Sequence, residues 1–220
     1  MELSQLVPLM GQGIGETLYM TVISTVLAYV IGIPLGVILI VTAPEGIRPC
    51  KVLYDVLGFF VNIFRSIPFI ILLFLMLPVT KVLVGTTIGS IAIIPPLTAS
   101  AAPYVARMVE SSLKEVDGGV VEAAKSMGAS TMQIITKVLL PEAGPSLLIG
   151  AAIVMTTVLG YTAMAGMVGG GGLGAIASNY GYYRYELGIM LIATVILVII
   201  VQAIQELWMR MARSSDKRIR

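Results

Sequence analysis

Five long apolar runs dominate this chain, separated by short segments that carry its charges, glycines and prolines. A helix crosses the hydrocarbon core of a bilayer with about 20 residues. The first run covers residues 17–41, with Pro44 and Gly46 as breakers behind it. The second block, 52–84, is longer than one span needs and is interrupted by Pro68. Its first part, 52–64, places Leu53, Val56, Leu57, Phe60 and Phe64 at helical spacing. That pattern predicts a helix starting near the interface, followed by a spanning part over 67–84. The third run, 87–105, carries Pro95 and Pro96, which a membrane helix tolerates where neighbours satisfy the freed carbonyls. The fourth run is 146–167 and the fifth 187–209. The expected fold is an all-α membrane protein of five transmembrane helices, with a polar loop between helices 3 and 4.

Composition agrees. The chain is 57% hydrophobic and 12% charged, with a mean hydropathy of +0.97. Soluble domains are about 25% charged. A length of 220 residues suits one domain, read as a single transmembrane domain over 1–220. A net charge of +2 gives nucleic-acid binding no support. There is no His, and Cys50 is the one cysteine, which excludes an internal disulfide, Cys/His metal sites and Cys–His catalysis. The start has no Lys or Arg and no cleavable signal pattern, so the first apolar segment is expected to stay in the mature protein.

Charge sets the expected orientation. With the C-terminus inside, the inner segments hold Arg48, Lys51, Arg107, Lys114, Lys125, Lys137, Arg210, Arg213, Lys217, Arg218 and Arg220. The outer segments hold only Lys81 and Arg184. This bias puts the N-terminus outside and the C-terminus in the cytoplasm. Tyr180, Tyr182, Tyr183 and Tyr185 before the fifth run, and Trp208 at its far end, suit aromatic belts at the two interfaces.

The segment 107–141 is too charged to lie in lipid, yet keeps helical periodicity. Gly118 and Gly119 separate one helix end from the next start. A short helix over 120–127 is expected to stop at Gly128, which takes positive φ without strain. Ser130 or Thr131 is placed to cap a further helix, and Pro141 to stop it. Ala123 and Ala124 form a flat surface that allows another protein to approach closely.

The residues Glu122-Ala123-Ala124, then Gly128, then Val138-x-Leu140-Pro141, resemble the EAA loop of ABC-importer permeases in type, spacing and placement. Phe64-Arg65-Ser66-Ile67-Pro68 is similar to the Arg-x-x-Pro segment of amino-acid permeases of that superfamily. The run 165–177, AGMVGGGGLGAIA, resembles a glycine run of methionine-importer permeases, whose size and five spans also match. The resemblance implies that 107–141 is a coupling region whose helix lies in a cleft of a separate ATP-hydrolysing subunit. Glu122 and Lys125 would then serve polar contacts or helix support, Ala123 and Ala124 close packing, and Gly128 the turn. It implies a homodimer of permeases, two ATP-binding cassette subunits holding ATP and Mg, and an extracytoplasmic binding protein that delivers methionine across a bacterial inner membrane. No cofactor is expected in this chain. Five helices are few to enclose a gated path, which also favours a symmetric pair.

Other features are weaker. Gly169-x-Gly171-x-x-Gly174 fits a dinucleotide pattern but follows a membrane helix, so a tight outer loop is the reading. No G-x-x-x-x-G-K-[ST] occurs, so energy must come from another polypeptide or an ion gradient. Gly32-x-x-x-Gly36 permits close helix approach, and Pro34 between them suggests a kink. Arg65 is read as a membrane-interface charge that snorkels to water, with Asp55 in reach only if the chain bends. Glu206 and Arg210 form a helical pair. Met155, Met164 and Met167 in the fourth run, among 13 methionines, are read first as core fillers. Tyr161 and Met164 are also candidates to line a pathway or gate at a dimer axis. A permease for another amino acid or small solute is the nearest alternative. An ion-coupled secondary transporter would favour internal repeats and mid-membrane charges, which are not evident. The absence of His and of grouped acids inside the spans argues against a membrane enzyme, and a passive scaffold would leave the EAA spacing without a purpose.

Overall fold

The computed structural model describes residues 3–215, so Lys217, Arg218 and Arg220 of the positive-charge count lie outside the described residues. Every regular element among the described residues is helical. The long helices are α1 (Leu3–Thr42), the pair α2 (Lys51–Ser66) and α3 (Phe69–Val84), and α4 (Ser90–Lys114). Short elements α5 (Gly118–Ser126), α6 (Thr131–Ile134) and α7 (Leu140–Glu142) lead into α8 (Gly144–Ala165). The chain ends in α9 (Gly172–Ile176) and α10 (Leu187–Ser215). By length and apolarity α1, α8 and α10 can each cross a membrane, and α2 with α3 passes as a bent pair, turning through 107°. The break falls at Ile67 and Pro68, where the sequence placed it.

Helix α4 is the centre of the bundle. It carries Pro95, Pro96 and Pro103 and buries fourteen residues. It is less apolar than its neighbours because protein, not lipid, surrounds it. Helix α1 carries a stripe of small and hydroxyl side chains, Gly13, Thr17, Thr21, Ser24, Ala28, Gly32 and Gly36, all buried, with Gly13 and Thr17 against α9 and Gly32 and Gly36 against α4. A Cβ on Gly32 would sit 2.6 Å from Val105 Cβ, and one on Gly36 2.7 Å from Val109 Cβ. The glycine pair therefore sets how closely α1 and α4 approach, as in membrane helix pairs that associate through small residues. Helix α1 runs unbroken through Pro34. The opposite faces are apolar and open, as for Val22, Val26 and Val30 of α1 and Leu191, Val195 and Val198 of α10. The bulky stripe of α2 also points outward: Leu53, Val56, Phe60 and Phe64 are exposed, while Gly58 and Val61 face α4's side of the molecule.

Several boundaries differ from the sequence expectation. Helix α1 begins fourteen residues before Thr17. That extension has a partner: Met10 packs with Leu173 and Ile176 of α9. Residues 107–114, expected in the loop, form the last turns of α4, with Val109, Ser112 and Leu113 buried. Helix α10 runs on to Ser215. Gly118 and Gly119 lie in the first turn of α5, not between helices. The glycine run is not an open loop: π-type turns over Gly166–Gly170 and Ala177–Tyr182 flank α9. Pro141 does not end a helix. A π turn over Ile135–Leu139 carries the chain through it, with the Leu140 N–H bonded to the Ile135 carbonyl. Pro141 has no N–H to keep the ordinary ladder, so the wider turn absorbs the loss.

Candidate functional site

Two places gather the predicted residues. The first is the charged end of the bundle. Asp117 caps α5, accepting the Gly119 N–H at 2.6 Å. Met127 closes the helix, and Gly128 turns the chain at φ +78. A side chain there would meet no neighbour within 4 Å, so the backbone alone demands glycine. Ser130 then caps α6 in a full capping box with Gln133, taking the role the sequence left open between Ser130 and Thr131.

The two alanines part company. Ala124 is buried at 4% exposure and packs into this chain's own core. Ala123 is exposed. It shares the outer face of α5 with Val120 and Met127, which are 46% and 81% exposed. Met132 adds a further bare apolar side chain. Glu122 and Lys125 are exposed and line the opposite side, a cavity of about 570 Å³ closed by the 43–47 turn, Tyr54, Glu110 and Lys114. Leu140 is half-buried and Pro141 exposed. Helix α5 thus presents an apolar ridge outward, seats Ala124 in the core and borders a charged cavity with Glu122 and Lys125.

Beneath it, a polar knot that sequence reading missed ties α2 to α4. Arg107 Nη1 donates to Glu110 Oε2 at 2.6 Å. Its Nε and Nη2 donate to Asn62 Oδ1 at 3.2 and 3.0 Å, and Nη2 also reaches the Gly58 carbonyl at 3.2 Å. Tyr54 Oη donates to Glu110 Oε1 at 3.0 Å. The i,i+3 spacing of Arg107 and Glu110 was the available signal. Asn62 and Gly58 lie 45 and 49 residues earlier, beyond any local pattern.

The second place is a cavity of about 270 Å³ where α2, α4 and α8 meet. Arg65, Tyr104, Ser100, Thr157 and Tyr161 line it, with Phe64 and Val158 among its apolar walls. Arg65 is an exposed residue in the last turn of α2, and its guanidinium is the group that meets α4. It lies 5.6 Å from the centroid of the Tyr104 ring. No bond joins it to Asp55 or to any other carboxylate among the described residues. Tyr161 stacks flat on Phe69, centroids 4.5 Å apart with 5° between planes. Met164, one turn further along α8, is 42% exposed and does not line this cavity. Of its neighbours, Met155 accepts the Trp208 indole N–H at 3.3 Å and Met167 is bare at 60%. Among the described residues no group of His, Cys, Asp or Glu is placed to hold a metal.

With this geometry in place, the likeness to known proteins is specific. Residues 32–219 match the family model described as the binding-protein-dependent transport system inner membrane component. The chain belongs to that family. It is a transport permease, with transport and not catalysis as its business. It is 50% identical over 203 residues to the probable D-methionine transport system permease protein MetI of Vibrio cholerae, covering 92% of this chain and 90% of that one. The corresponding protein of Pasteurella multocida is 46% identical over 210 residues, covering 96% and 97%. A chain from the inward-facing MetNI methionine ABC transporter superposes with a TM-score of 0.96 at 49% identity, covering 99% of this chain and 100% of that one. An amino acid ABC transporter solved with histidines shares the fold alone, with a TM-score of 0.78 at 20% identity.

Proposed function

We propose that this permease forms the translocation path of an ATP-driven methionine importer in a bacterial inner membrane. Five spans cross the bilayer: α1, the bent α2–α3 pair, α4, α8 and α10. The N-terminus lies outside and the C-terminus in the cytoplasm, as the excess of basic residues in the segments assigned inside requires. The whole chain acts as one transmembrane domain, with the coupling region over 107–141.

One observation carries the reading: α5 holds an apolar ridge of Val120, Ala123 and Met127 in the open, beside an Ala124 that packs into the core. A solvent-facing ridge of that kind is costly unless a partner covers it. The partner is an ATP-hydrolysing subunit, one for each permease of a homodimer. ATP and Mg bind there and not here. When the motor subunits close, α5 moves as a rigid body. The 115–117 link passes the displacement to α4, and Gly128 with the π turn before Pro141 passes it to α8, a hinge and shear transition. Glu122 and Lys125 brace the inner side of α5, while Leu140 and Pro141 fix where it joins α8. Tyr161 lines the path, and Met164 extends the same face of α8 toward a second permease. An extracytoplasmic binding protein delivers the amino acid. The similarity to proteins named as D-methionine permeases supports the cargo.

The test is reconstitution with the partner ATPase and binding protein in liposomes. ATP-dependent uptake of D- or L-methionine, insensitive to ionophores, is the expected result. Uptake that follows an ion gradient without ATP overturns the proposal. Preference for another amino acid in competition corrects the cargo alone.

A further inference from the structure

We infer that the cavity between α2, α4 and α8 is a binding site for a small zwitterion, with Arg65 holding the carboxylate. This rests on the reading of the chain as an amino-acid permease and adds a site to it.

The argument begins with charge. Arg65 is the one ionic side chain on the cavity wall. A guanidinium near a bilayer is costly and normally finds a counter-charge or reaches water. Here the exposed Arg65 guanidinium lies beside the Tyr104 ring on the cavity wall, and no described carboxylate meets it, so it is open to an anion from outside the chain. Its planar fork suits a carboxylate above other anions of that size, because two parallel N–H donors match two oxygens.

Size and lining narrow the class. A volume of about 270 Å³ equals roughly nine waters at about 30 Å³ each. That suits a free amino acid and excludes a sugar chain. The absence of acidic lining residues disfavours a cationic side chain. Ser100 and Thr157 supply hydroxyl oxygens for an ammonium group. Thr157 already donates to the Ile153 carbonyl at 2.8 Å, so its oxygen is left as an acceptor. The remaining wall is apolar, and the Tyr161 ring is held rigid against Phe69. An uncharged, unbranched side chain lies well on such a surface. A thioether gains further from the aromatic ring.

The experiment uses the permease with its partner ATPase in nanodiscs. Cys50→Ser removes the one native thiol, and Ile67→Cys, at a lining position with no assigned contact to the ligand, places a reporter in the cavity. Labelling by a small maleimide is followed with methionine or with methioninol, which lacks the carboxylate. Methionine is expected to slow labelling about tenfold, as for loss of one charge-assisted pair, and methioninol to leave it unchanged. Adding Arg65→Gln is expected to abolish the protection while labelling without ligand persists. Arg65→Lys is expected to restore part of it. Equal protection by methioninol overturns the site, as does full protection in Arg65→Gln. Uptake of methionine without any protection also overturns the site and leaves the importer reading intact. If uptake assays identify a different amino acid, that amino acid and its alcohol replace the pair. The same contrast then keeps the site and corrects only the cargo.

Discussion

The carboxylate of Glu16 accepts the backbone N–H of Gly172 at 2.6 Å, joining positions 156 apart in the chain. Next to it, Thr17 Oγ1 accepts the Leu173 N–H at 2.9 Å. Helix α9 leaves its first amides without partners of its own. Two consecutive side chains of α1 supply them. Gly172 sits at φ +74, and a Cβ on it would lie 2.7 Å from Thr17 Oγ1. The glycine run is thus shaped to bring this backbone against α1.

Removing the cap should be measurable. Glu16→Ala is expected to lower stability by about 1–2 kcal/mol, the range for a lost helix cap or charge-assisted bond. Gly172→Val adds backbone strain to a steric clash and should cost more. Thermal unfolding of the purified protein in detergent reads both. An unchanged melting temperature for Glu16→Ala would mean that water serves the Gly172 amide as well.

Gly36→Leu tests the α1–α4 contact. The new side chain meets Val109 and the Ala106 carbonyl with no room to spare. Overpacking of this kind costs about 1–3 kcal/mol, and the helices must separate to relieve it. Loss of monodisperse protein in size-exclusion chromatography is the expected outcome. Gly11→Leu, at a position with nothing within 4 Å, is the control that should behave as the parent does.

The all-helical fold and the Pro68 break were legible because each is local, written in apolar length or proline. What was not legible depends on distant partners. Arg107 and Glu110 look like loop charges until Asn62 and Tyr54 arrive from α2 to satisfy them. Only then can the helix continue to Lys114. The glycine run reads as a loop because Glu16 and Thr17, which cap it, precede it by more than 150 residues. Nor does a motif of two alanines reveal which one packs inward; α5's seating on the core decides that in favour of Ala124.

The knot between α2 and α4 allows a double-mutant cycle. Tyr54→Phe removes one bond to Glu110 and is expected to cost about 1 kcal/mol. Arg107→Leu leaves Glu110 half-buried without its cation and should cost about 2–3 kcal/mol. Combined, the two should be non-additive by about 0.5–1 kcal/mol, since both act on one carboxylate. Strict additivity in chemical denaturation would show that Tyr54 and Arg107 hold Glu110 independently.

The outer ridge of α5 can be separated from its inner brace by mutation. Met127→Glu puts a charge where an apolar side chain now stands bare at 81% exposure. The fold has no reason to object, because nothing of this chain packs there. A partner that buries the ridge would have to desolvate the new carboxylate, at a cost of several kcal/mol. Co-purification with the ATPase should fall steeply while membrane insertion stays normal. Gly128→Val acts differently, forcing a β-branched residue to φ +78 at about 1–2 kcal/mol of strain. It should leave the ATPase bound but break the coupling of hydrolysis to uptake. Glu122→Lys alters the cavity side and should likewise spare binding and impair transport. Normal uptake in all three would remove α5 from the mechanism. Loss of ATPase binding by Gly128→Val alone would move the docking surface from the ridge to the turn.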